Sequence, residues 1–79
     1  MMSEAAEDTH RAAAAGKAIL DGRDPSEDFA SVMVTLEHAV AAVLILLMRD
    51  PQKAARMLNE GLMQGVEQRL ALYAERNRP

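Results

Sequence analysis

The sequence predicts an all-α fold: a helical hairpin of two long antiparallel helices behind an alanine-rich N-terminal helix, dimerising into a four-helix-bundle-like assembly. Three observations lead there. The tripeptide Arg-Asp-Pro occurs twice, at 23–25 and 49–51, and each copy reads as a helix start. Behind both, apolar residues recur three and four apart, the spacing of one helix face. Finally, residues 39–48 read AVAAVLILLM, ten apolar positions in a row in a chain of 79. A helix that is hydrophobic on every side sits inside something, and a chain this short has little of its own to put around it.

The first helix is expected from about Glu4 to Leu20, behind Ser3 as the capping residue. Ala5, Ala6, Ala12 to Ala15 and Ala18 give it high helical propensity, while Ile19 and Leu20 are its only large apolar groups. It therefore has little to bury and reads as a weakly anchored segment, residues 1–22, attached to a hairpin at 23–79. Gly22 supplies an easy left-handed residue to end it.

In each Arg-Asp-Pro, the aspartate can accept the free N–H groups of the following turn, and proline suits the first helical position because its missing N–H is not needed there. The second helix is accordingly expected over about Pro25 to Arg49, with Glu27 completing a capping box with Asp24. The third is expected over about Pro51 to Arg76. So short a connection between long helices usually makes an antiparallel hairpin, and one bent continuous helix is the alternative.

At 100° per residue, Phe29, Val32, Met33, Leu36, Val40, Val43, Leu44 and Leu47 share one face of the second helix, the expected intramolecular core. A stripe on the third helix, Ala55, Leu58, Leu62, Val66, Leu70 and Tyr73, is placed to pack along it. The back of the second helix starts polar, with Glu27, Ser31, Thr35 and His38, then turns apolar. Gly61 and Gly65 stand four apart on the third helix; glycine inside a helix costs about 1 kcal/mol relative to alanine, which points to close approach of another helix. Ala39, Ala42, Ile45, Leu46, Gly61 and Gly65 are therefore the expected dimer interface. His38 borders it, and is expected to make association sensitive to pH. Met57 points away from the stripe and is a further contact candidate, whereas Met33 and Met48 read as core filler and Met1 and Met2 stand at the start.

Composition narrows the function classes. The net charge is −3, with seven acids and three bases in residues 1–28 but six bases and four acids in 49–79. Nucleic acid is not an expected partner, since phosphate binding needs a basic face, and one Phe, one Tyr and no Trp provide no stacking platform. The absence of cysteine excludes disulfides and thiolate metal sites. MMSEAAEDTH carries acids where a secretory signal carries bases, so the chain is expected to be neither exported nor cleaved, and cytoplasmic. Val32 to Met48 approaches the length of a membrane span but contains Thr35, Glu37 and His38, so no membrane partner is expected.

No catalytic constellation is present, and no cofactor is implied. Glu7 and His10 have the Glu-x-x-His spacing of di-iron bundles, with Glu37 and His38 as an imaginable complement. One subunit holds too few inward carboxylates for such a site, so a carboxylate/histidine metal bundle is only a remote alternative. Glu37, flanking the apolar face, is better explained as an edge carboxylate paired with Arg56 or Arg69, or with His38 of a neighbouring chain. The expected function is a non-catalytic homodimer serving as a protein-interaction or structural module. Its main alternative is an adaptor or subunit whose apolar helix is covered by a different protein.

Overall fold

A computed structural model describes residues 3–77; Met1, Met2, Arg78 and Pro79 lie outside that range. Helix accounts for 84% of it, and the described residues contain no strand. The elements are α1 (Glu4–Leu20), α2 (Phe29–Met48), α3 (Pro51–Met57), a π-helical turn (Leu58–Leu62) and α4 (Met63–Arg76). The chain divides into two compact units, residues 1–40 and 41–79, and α2 runs across the division.

In the first unit, α1 has the expected bounds. Ser3 is its cap, with Oγ accepting the Ala6 N–H at 3.2 Å. It ends where Asp21 (φ 49°) and Gly22 (φ 74°) both turn left-handed, and the Asp21 N–H donates back to the Lys17 carbonyl. No residue of α1 is buried; only Glu7, Ile19 and Leu20 are even partly covered.

The second helix starts later than the sequence suggests. Asp24 caps as expected, with Oδ1 accepting from Ser26 N, Ser26 Oγ and Glu27 N. The return bond comes from Asp28 and not Glu27: the Asp24 N–H donates to Asp28 Oδ2 at 3.1 Å. This reciprocal pair closes Pro25–Asp28 into a single turn, with Asp28 N donating to the Asp24 carbonyl. The regular helix follows from Phe29, its first bond running from Val32 N to the Asp28 carbonyl.

In the second unit, α2 stops at Met48. Arg49 takes φ 61°, and Asp50 is extended. Two such residues in succession break the helix, so α2 and α3 are separate elements and not one bent rod. Asp50 then caps α3 by accepting the Gln52 N–H at 2.9 Å, with Pro51 at the first helical position. From Pro51 to Arg76 the chain is helical throughout, but its middle turn, Leu58–Leu62, widens to the π form.

The expected core face of α2 is covered only in part in the single chain: Leu44 is buried, and Val32 and Val40 are half-buried. Among the described residues only Leu44 and Ala54 are buried. Leu58, Leu62, Val66, Leu70 and Tyr73 remain between 36% and 61% exposed, so their stripe has no cover. Of the two methionines expected as core filler, Met48 is half-buried and Met33 is exposed.

Candidate functional site

What this chain presents to its surroundings is apolar helix surface. Along α2, Leu46 is 75% and Leu47 70% exposed, and Phe29, Val43 and Ile45 are exposed with them. Nothing charged interrupts α2 except Glu37, beside His38 near the helix midpoint. Both are exposed.

The residues expected at an interface are placed as follows. Ala42, Ile45 and Leu46 are exposed, and Ala39 is half-buried. Gly61 and Gly65 are half-buried on the second rod. A Cβ on Gly65 would meet nothing within 4 Å, whereas one on Gly61 would lie 2.9 Å from Met57 Sδ. The neighbour at Gly61 is thus a flexible side chain of its own helix, one turn earlier. Gly65 has none, and its surface stands open. Met57, the extra contact candidate, is exposed.

Polar chemistry is sparse. Among the described residues the one ion pair is Arg11 to Glu7, 3.7 Å apart on the surface of α1. Such an exposed pair contributes little, about 0.5 kcal/mol. No three His, Asp or Glu side chains come together in a metal-holding group among the described residues, and Glu7 is turned to Arg11.

One polar device escaped the sequence reading. The Arg23 guanidinium donates from Nε to the Leu20 carbonyl at 3.0 Å and from Nη2 to the Ile19 carbonyl. It also donates from Nη1 to Ser31 Oγ at 2.6 Å and from Nη2 to Thr35 Oγ1 at 2.9 Å. The carbonyls belong to the last turn of α1, where the helix dipole favours a cation, and the Leu20 carbonyl also accepts the Arg23 backbone N–H at 2.9 Å. The hydroxyls lie one turn apart on α2. Arg23 therefore clasps the end of α1 to the first half of α2, anchoring a helix whose alanines bury almost nothing. The available signal was a cation three residues beyond a helix end, followed by two hydroxyls four apart.

By length and composition α2 could also cross a membrane: it has 20 residues and a mean hydropathy of 2.1, with 6% of that window buried. The chain matches no protein-family model, no curated protein and no solved structure.

Proposed function

We propose that the chain works as a small non-catalytic homodimer in the cytoplasm, a protein-interaction or structural module in which two copies cover each other's apolar helices in a four-helix-bundle-like assembly. The observation that supports this reading is the imbalance of burial: among the described residues only Leu44 and Ala54 are buried, against sixteen large apolar side chains left exposed. Each large apolar side chain gains roughly 1.5–3 kcal/mol on full burial. A surface of this size on a lone chain is a drive to associate, and a second copy is always available at the chain's own concentration.

Two other covers compete. A different protein is one, and a lipid bilayer is the other, favoured by the length and hydropathy of α2. Against the bilayer stands Glu37, ninth of the 20 residues. A carboxylate there would lie near the bilayer centre at a cost of about 2.5–3.5 kcal/mol on insertion scales.

Sedimentation of the purified chain with and without lipid vesicles tests the proposal. A discrete dimer with cooperative unfolding, unchanged by vesicles, is the expected result. Polydisperse material with molten behaviour would favour a different protein as the cover. Flotation with the vesicles would favour lipid, and either result overturns the homodimer.

A further inference from the structure

We infer that the π turn at Leu58–Leu62 is a register device held by Asn59. Its extra residue turns α4 so that Leu62, Val66 and Tyr73 line up behind Ala54 along the rod; without it, Gly61, Gly65 and Leu72 would stand there. The device belongs to the rod itself and does not depend on the homodimer.

An α-helix closes each turn on the carbonyl four residues back and advances about 100° per residue. In the π turn the Met63 N–H donates instead to the Leu58 carbonyl, five residues back, so one residue more is wound into the turn. Every later residue then stands where its predecessor would stand in a continuous α-helix. Counted from Ala54, a continuous helix would set Gly61, Gly65 and Leu72 within about 20° of its direction. The extra residue sets Leu62, Val66 and Tyr73 there instead. One step of register thus exchanges two glycines and a leucine for three large apolar side chains.

Burial distinguishes the two registers. Ala54 is buried, while Lys53 and Ala55 on either side of it are exposed, so the covered side of α3 is the one that carries Ala54. Leu58 and Leu62, at 36% each, are the least exposed of the rod's large apolar side chains. Leu62 stands about 20° from the direction of Ala54 in the π register, and would stand about 80° from it in a continuous helix. The spacing of Ala55, Leu58, Leu62, Val66, Leu70 and Tyr73 fits a continuous helix, and the π turn carries the α4 part of that stripe from the Ala55 side to the Ala54 side.

The turn, Leu58-Asn59-Glu60-Gly61-Leu62, contains two poor helix formers, Asn59 and Gly61. Asn59 Nδ2 donates to the Ala55 carbonyl at 3.0 Å, and the Leu58 N–H reaches that carbonyl as well as the Ala54 one. A side-chain amide on the carbonyl four residues back competes for the acceptor that regular helix would give to the backbone, which is how asparagine disfavours a helix interior. Asn59 is therefore a positioning residue: its amide holds the rod out of the α register.

Couplings across hydrogen bonds, read by NMR on the isotope-labelled full chain, test this directly. In the unaltered chain the Met63 N–H should couple to the Leu58 carbonyl. In Asn59→Ala that coupling should be lost and replaced by one to the carbonyl of residue 59. Retention of the Leu58 coupling in Asn59→Ala would overturn the role of Asn59, and a coupling to residue 59 in the unaltered chain would overturn the π register itself. Should Asn59→Ala fail to fold, two deletions decide. Deleting Asn59 leaves a continuous α-helix with Leu62, Val66 and Tyr73 still behind Ala54, so the melting temperature should equal or exceed that of the unaltered chain. Deleting Gln68 from regular helix turns Leu70 and Tyr73 by about 100° and should lower it by about 4 °C or more. Equal losses in the two deletions would overturn the inference. A monomeric mass in sedimentation would remove the homodimer and leave every one of these expectations unchanged.

Discussion

Asp24 is the residue on which the turn before α2 depends, and its chemistry makes the dependence measurable. The Glu27 N–H, the Ser26 hydroxyl and the Ser26 N–H all donate to its carboxylate and hold its pKa below the 3.8 of a free aspartate. A carboxyl whose folded pKa is depressed stabilises the fold above its unfolded value, and that contribution disappears as pH falls through the folded value. The Pro25–Asp28 turn should therefore persist to below pH 3.8. Ser26→Ala, which removes the second-largest of these donors, should move the carboxyl titration followed by NMR upward. Arg23 invites a parallel test through hydrogen exchange. Arg23→Ala should release α1 and cost about 1–2 kcal/mol of local protection, because hydrogen bonds from a charged group are being lost. Arg23→Lys should recover little of it, since a single ammonium does not reproduce a planar fork that reaches two carbonyls and two hydroxyls at once.

Among the elements, the helix ends set by short-range chemistry were readable in advance. Ser3 and Asp50 each accept a backbone N–H within three residues, Gly22 takes the left-handed turn and Pro51 the first helical position, so α1 begins and ends, and the rod from Pro51 begins, where those residues place them. The start of α2 was misread by four residues because Glu27 and Asp28 compete for one return bond, and composition does not say which carboxylate reaches Asp24. The π turn at Leu58–Leu62 left no mark in the apolar spacing either, although Gly61 lies inside it. The two glycines on this rod should now behave differently. Gly61→Ala meets only the mobile end of Met57, so it should be nearly neutral once that thioether swings aside. Gly65→Ala enters open space in the single chain and should stabilise an isolated helix by about 0.5–1 kcal/mol. If Gly65 belongs to the dimer contact, the same methyl should weaken association, and sedimentation of the two variants side by side separates these effects. Tighter association in Gly65→Ala would take Gly65 out of the interface.

For the whole molecule, helical class was legible because period and caps agree, whereas the location of the core was not. The sequence pattern says which residues share a face; it does not say whether that face meets its own chain or another. Leu36 and Val43 carry the periodicity of a core and yet stay in water here. Leu46 supplies a test. At 75% exposure in the single chain, a lysine there should cost a monomer no more than about 0.5 kcal/mol, as ordinary surface changes do. In the homodimer the same lysine would bring a charge into an apolar contact, where an unpaired ammonium costs far more than it does in water. Leu46→Lys should therefore abolish the dimer and most of the cooperative thermal unfolding with it, because two buried side chains cannot hold the helices once the partner is gone. A variant that keeps its mass, helicity and melting temperature would mean that the back of α2 faces water in the working protein.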